Sequence, residues 1–238
     1  MKKKIGFMLV FLILFSRFCV FAQSDDSSIN MSGDVEAYLK GEYNRGYHNY
    51  GEISLIGSVE LFDQLSFTLG AAYGSSSRNN DVNLFFKAGY APFTPEYLSP
   101  LGFSLLYIYN GMIDFAAHTH SLLPVVSYNT QRFGISLGMN FRFSSFFGET
   151  AQVETVFSFY LYYNFICNDD FSLGLGIGNF NNFDARNMGA IWLNLNTVIR
   201  INENWSVLAE IELKQSGIDG LAANFYGASL KGGARFSW

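Results

Sequence analysis

From Tyr226 to Trp238 the chain reads YGASLKGGARFSW. Tyr226, Ala228, Leu230, Gly232, Ala234, Phe236 and Trp238 alternate with Gly227, Ser229, Lys231, Gly233, Arg235 and Ser237. A period of two is the repeat of a β-strand with one apolar and one polar face. The same alternation recurs upstream. Val35, Leu39, Ile53, Leu55, Val59 and Leu61 make one apolar row, Phe133 to Phe143 taken at every second position another, and Leu193, Leu195, Ile199 and Ile201 a third. Broken by Gly, Asn, Asp, Ser and Pro, these runs predict twelve strands. They lie over 33–44, 51–62, 65–75, 82–91, 101–110, 120–129, 132–144, 151–166, 171–179, 190–201, 205–214 and 225–238. Most have the length that a tilted strand needs to cross the hydrocarbon of a bilayer.

Charge sharpens the pattern. The segments hold eight acidic residues (Asp34, Glu36, Glu42, Glu52, Glu60, Glu154, Glu210, Glu212) and eight basic ones (Lys40, Lys87, Arg132, Arg142, Arg200, Lys214, Lys231, Arg235). All sixteen fall on the face opposite the apolar row of their own strand. No strand is required to place a charge in lipid, where Arg or Lys at the midplane costs about 2–4 kcal/mol. The fifth and sixth segments are less regular. Leu106 and Ile108 share a row with Ser104, and Leu123 and Val125 share one with Ser121 and Ser127. Either these side chains pack from inside or the register there is displaced.

The last segment, finishing on an aromatic, resembles the C-terminal β-signal of bacterial outer-membrane β-barrels, whose usual final residue is Phe. The resemblance implies an all-β fold: a transmembrane antiparallel up-and-down β-barrel over 33–238, with about twelve strands and eight to fourteen admissible. It implies outer-membrane lipids as surroundings and the β-barrel assembly machinery as a partner through the C-terminal strand. An even strand count brings both ends to the periplasmic side. Asp63-Gln64, Thr130-Gln131, Cys167–Asp170 and Asn202–Asn204 are then tight periplasmic turns, with 92–100, which holds three of the four prolines, as a longer exception. The stretches 45–50, 76–81, 111–119, 145–150, 180–189 and 215–224 are the longer extracellular loops. A soluble β-sandwich would show the same alternation without explaining the aromatic terminus.

The first residues agree with export. Lys2, Lys3 and Lys4 precede the apolar stretch Ile5–Phe15, and Val20-Phe21-Ala22 suits a cleavage site after Ala22. This reads as a signal peptide over 1–22, with 23–32 a short periplasmic segment. An uncleaved anchor would need a longer apolar run. Lipidation at Cys19 would need small residues where Arg17 and Phe18 stand. Four basic residues leave with the signal, so the mature chain has 11 Lys+Arg against 20 Asp+Glu, a net of −9. That argues against nucleic acid as a partner. Cys167 would be the single mature cysteine, so no intramolecular disulfide forms. Aromatics reach 18% and charged residues only 15%. The longest charge-free stretches, 97–113 and 115–131, each contain a Pro and several polar residues, and neither is a continuous apolar span.

Candidate chemistry is sparse. His118 and His120, two apart on a strand, share a face and could bind a metal. Apart from Asp114, no Cys or carboxylate cluster accompanies them, and two polar rim residues are the plainer reading. Some barrel enzymes hold a Ser–His pair near the extracellular rim. His120-Ser121 with Asp114 is the candidate set here, and its spacing matches no barrel hydrolase motif. The alternating glycines at 174, 176 and 178, and those at 227 and 233, lack the helix and Lys of a phosphate loop. They are read as an inner wall that leaves lumen space and lets strands bend. No cofactor, metal or catalytic residue is expected. Two functions stay open: a narrow porin-like channel for small solutes, or a closed structural or surface-interaction (adhesin-like) barrel whose balanced inner charges pair across the lumen. A rim-located lipid-modifying enzyme is third. The expectation is that the chain is not an enzyme.

Overall fold

The structure is a computed structural model that describes residues 31–44, 49–77, 79–92, 100–145, 152–186, 190–216 and 225–238. The expected signal peptide at 1–22 and residues 23–30 lie outside the described residues. Twelve strands follow one another: β1 (Met31–Asn44), β2 (Tyr50–Leu61), β3 (Leu65–Ser76), β4 (Asn80–Tyr90), β5 (Leu101–Met112), β6 (Ala117–Asn129), β7 (Phe133–Ser145), β8 (Gln152–Cys167), β9 (Phe171–Gly178), β10 (Ala190–Arg200), β11 (Trp205–Ser216) and β12 (Phe225–Ser237). Each pairs antiparallel with the next, and β12 pairs with β1 to close the barrel. Closure satisfies every strand edge, the condition for a sheet to stand in lipid.

The seam runs from Asp34 opposite Ser237 to Asn44 opposite Gly227. β1 starts at Met31, two residues ahead of the segment expected at 33, because Met31 and Ser32 continue the ladder opposite Leu61 and Glu60. The stretch 111–119 differs more. Gly111 still pairs with His118 and Met112 with Ala117, so the ladder consumes most of the expected loop. What is left is a 3₁₀ turn, Ile113–Phe115, ended by Ala116 at φ 47°.

The alternation sorts the two walls. On the outer row, Leu39 is 67% and Leu230 63% exposed. On the inner row, Ile108 and Leu123 are fully buried. The register keeps the charged residues on the inner row, as where Arg142 faces Glu154 and Glu36 faces Arg235. Arg132 stands in the turn just before β7. No helix among the described residues is long and apolar enough to cross a membrane; the strands do the crossing.

Asn-built short turns gather at one end, although β3 to β4 and β5 to β6 are joined as tightly at the other. Asn168 Oδ1 accepts hydrogen bonds from the N–H groups of Asp170 and Phe171, and Asn202 Oδ1 from those of Asn204 and Trp205. These Asx turns are the reason Asn can end one strand and start the next within three residues. Aromatic pairs ring the same end: Trp205–Phe236 at 5.1 Å, Tyr128–Phe133 at 5.8 Å and Tyr163–Phe165 at 5.9 Å between ring centroids. Aromatic girdles of this kind mark membrane interfaces.

Candidate functional site in the lumen

The lumen wall has two chemically distinct halves. One, on β10, β11, β12 and β1, is ionic. Arg235 binds Glu36 at 2.5 Å, Lys231 meets Glu210 at 3.4 Å, Lys214 meets Glu42 at 2.5 Å, and Lys40 meets Glu42 at 3.2 Å and Glu212 at 3.9 Å. Tyr38 donates to Glu36 at 2.6 Å, and the Lys231 ammonium sits 3.9 Å from the centre of the Tyr38 ring. Asn194 donates to Glu210 at 3.2 Å. These pairs join residues on the same strand, on neighbouring strands, or on β1 and β11 across the intervening β12. They run around the wall. The expectation that inner charges pair across the lumen is therefore corrected: in-register neighbours about 4.8 Å apart satisfy one another first.

The glycines of this wall also have a different role from the one expected. A Cβ at Gly233 would overlap the Tyr38 ring, and one at Gly176 would overlap the Tyr160 hydroxyl and the Asn194 side chain. The space they leave is filled by long inner-wall side chains lying flat on the sheet.

The other half, on β4, β5 and β6 with Ile56 of β2, is apolar. Phe85, Leu106, Ile108, Leu123 and Val125 are 0–7% exposed, and they pack from inside the barrel. This answers the ambiguity of the fifth and sixth segments: the register is regular, and the apolar residues have an inner partner. That partner is the connection between β9 and β10. Residues 179–186 fold into a hairpin in which Phe180 bridges Ala185. Asn181 Oδ1 accepts from the N–H groups of Phe183 and Asp184, and the Arg186 N–H donates to Asn179 O, all at 2.8 Å. Fully buried Asn179 roots the hairpin. Its Oδ1 accepts from the Phe159 N–H, and its Nδ2 donates to Phe157 O and Arg186 O.

The hairpin crosses the barrel. β4 stands six strands from β10 in a ring of twelve, diametrically opposite. Yet Phe183 packs edge-on against Phe85 of β4 at 4.9 Å, and Asn110 of β5 donates to Phe183 O at 2.6 Å. Ala185 is 3% exposed in the same cluster, with Phe180 packed against it. Arg186 pairs with Asp184 at 2.6 Å and lies 5.3 Å from the Trp192 ring centre. Burial opposes the Asp184 charge, but Arg186 beside it, with Lys214 and Arg142, holds its carboxyl below the usual range.

Two inner-wall features stay outside these networks. Asn140 and Ser158 are fully buried, and neither side chain has a hydrogen-bond partner among the described residues. Lys87 of β4, directly opposite Leu106 of β5, has no ion pair among the described residues. A cavity of about 290 Å³ opens at the short-turn end, with Arg200, Arg235, Asp170 and Glu203 in its lining.

The rim candidates do not assemble. Ser121 points inward and is 2% exposed. His120 follows the outer row, where its Nδ1 lies 2.7 Å from the Tyr107 hydroxyl. Consecutive strand residues face opposite ways, so the pair that looks adjacent in sequence is split by the sheet. Asp114 accepts from the Asn80 N–H and Asn80 Nδ2, each at 2.8 Å. His118 and His120 stand edge to face at 5.3 Å and, with Tyr107 and Tyr109, form an aromatic cluster on the outer wall. No group of three or more His, Cys, Asp or Glu able to hold a metal occurs among the described residues. Cys167 is exposed at the end of β8.

Phe180 and Phe183 were the functional residues that strand patterning missed. Their signal was present: two Phe three apart in an Asn-rich loop, opposite two strands whose inner rows are apolar.

Among solved structures, the fold is similar to the NanC porin (TM-score 0.56, 14% identity, 84% of this chain and 98% of that one). It is also similar to the KdgM porin (0.53, 11%, 85% and 99%) and to an outer-membrane channel from Pseudomonas putida F1 (0.53, 11%, 87% and 95%). No family model and no curated protein matches the sequence. The closed wall and its apolar exterior define a twelve-stranded antiparallel β-barrel of the membrane-spanning kind, and these likenesses are likenesses of fold.

Proposed function

We propose that this barrel is a passive, narrow channel for small solutes and not an enzyme, with residues 179–186 as its constriction. One observation carries the reading. The ion pairs between wall strands run around the wall, the Asp184–Arg186 pair stays within the hairpin, and the lumen is obstructed by that short hairpin resting on an apolar patch. A barrel built to stay shut by its charges would place them across the lumen. A hairpin can shift without disturbing any strand ladder. The porin likenesses support this function through the fold they share. Balanced inner charge favours weak ion selectivity, because selective pores use rings of one sign.

The same proposal includes export through a signal peptide cleaved after Ala22, supported by Lys2–Lys4 and the apolar stretch that follows. It includes assembly through recognition of β12, supported by the aromatic row that ends in Phe236 and Trp238. Planar-bilayer recording of the purified protein tests the channel. Discrete conductance steps that grow when residues 180–185 are replaced by a Gly-Ser turn are expected. Silence in both proteins would favour the closed structural barrel.

A further inference from the structure

We infer that the apolar inner wall and Lys87 together form a transit site for small amphipathic monocarboxylates, molecules with an aromatic or short alkyl body and one carboxylate. The inference deepens the channel reading and rests on it.

The first observation is the wall itself. The interior of an aqueous barrel channel is polar. Here Phe85, Leu106, Ile108, Leu123 and Val125 form a contiguous apolar surface on three adjacent strands. What the surface fits is an apolar body. The protein supplies one from its own chain, the benzyl group of Phe183, packed edge-on on Phe85. The opposite wall also reaches that residue through the hydrogen bond from Asn110 to its carbonyl.

The second observation is the cation. Lys40, Arg142, Lys214, Lys231 and Arg235 on the inner wall all have carboxylate partners. Lys87 has none among the described residues. It stands two positions from Phe85 on β4 and directly opposite Leu106 on β5, with Thr68 of β3 on its other side. A half-buried ammonium beside an apolar surface is costly unless an anion reaches it. A carboxylate carried on an apolar body satisfies both surfaces at once. A bare small anion gains only the ammonium, and a neutral ring gains only the wall. The body of such a solute would take the place of the Phe183 ring, so entry and hairpin displacement are one event.

The test uses ¹⁹F NMR on the barrel in nanodiscs of zwitterionic lipid, against empty nanodiscs, at pH 8. The probes are 4-fluorobenzoate, 4-fluorobenzyl alcohol and fluoroacetate. Saturable binding of 4-fluorobenzoate is expected, with the other two markedly weaker. Lys87→Met should weaken 4-fluorobenzoate about tenfold, as loss of a charge-assisted hydrogen bond does, and leave the alcohol unchanged. Lys87→Arg should restore much of the loss. Phe183→Ala should tighten 4-fluorobenzoate by removing the internal competitor. Heat-modifiable migration on gels verifies that each variant is folded. Absence of saturable 4-fluorobenzoate binding, equal binding by Lys87→Met, or equal binding of all three probes would overturn the site. Binding is read at equilibrium, so a protein that binds as described yet shows no conductance would overturn the channel and leave the site standing.

Discussion

Phe183 and Phe85 meet with ring planes at 89°, although one belongs to the β9–β10 hairpin and the other to the strand diametrically across the barrel. With the hydrogen bond from Asn110 to Phe183 O, this pair ties the two sides of the lumen together. An edge-to-face pair contributes about 0.5–1.5 kcal/mol beyond its buried area. Phe183→Ala should therefore raise mean single-channel conductance and the frequency of transitions, with heat-modifiable migration unchanged. An unaltered conductance trace would show that the hairpin does not obstruct the path.

The ionic half offers a double-mutant cycle. Glu42 and Lys214 are 7% and 4% exposed at their side chains and 2.5 Å apart. Breaking a buried pair from one side costs about 3–5 kcal/mol, because the other charge is left without compensation. Glu42 keeps Lys40 as a second partner, whereas Glu42→Gln leaves Lys214 only the more distant carboxylates of Glu212 and Asp184, so Lys214→Met should cost less than Glu42→Gln. The double variant Glu42→Gln/Lys214→Met should recover much of the loss. Guanidinium unfolding of the refolded barrel reads all three. Additive losses in the double variant would show that the two side chains are not coupled.

The lipid face is tested at Leu137, which is 41% exposed on the outer row of β7. Leu137→Arg should destabilise the inserted barrel by about 2–4 kcal/mol if it lies near the midplane. Arg142→Leu, on the inner row of the same strand, removes a solvent-exposed pair with Glu154 and should cost no more than about 1 kcal/mol. Equal effects in a folding assay would mean that the faces of β7 are exchanged.

Trp238 packs on Gly33 across the seam. The Gly33 N–H donates to Trp238 O at 3.3 Å, the Trp238 N–H donates to Gly33 O at 3.1 Å, and a Cβ on Gly33 would overlap the indole. Trp238→Ala should lower the amount of barrel recovered in the outer membrane, and Trp238→Phe should be tolerated. Gly33→Val should lower recovery at least as much as Trp238→Ala, since its side chain meets both the indole and the Ser58 carbonyl of the neighbouring strand. Wild-type levels for Trp238→Ala, measured by quantitative immunoblotting of outer-membrane fractions, would remove the proposed assembly role of this residue.

Strand number and facing were legible in the chain because they are local properties. Period two places Leu137 outside and Arg142 inside whatever the neighbours are, and turns such as Asn202–Asn204 carry their own hydrogen-bonding instructions. The closure of β12 on β1 follows from the same logic, since a strand edge in lipid must find a partner. Three features waited for the tertiary structure. Ion-pair partners depend on register and shear, which bring Lys214 to Glu42 across an intervening strand. The extension of the β5–β6 ladder into 111–119 depends on how far the two strands stay in register. The inward course of 179–186 depends on an apolar surface contributed by three strands far away in sequence. Alternation alone fixes a side chain's face; it does not say what fills the space that face looks into. That filling is decided by the long-range demand that Phe85, Leu106, Ile108, Leu123 and Val125 be covered, and Phe180 and Phe183 cover them.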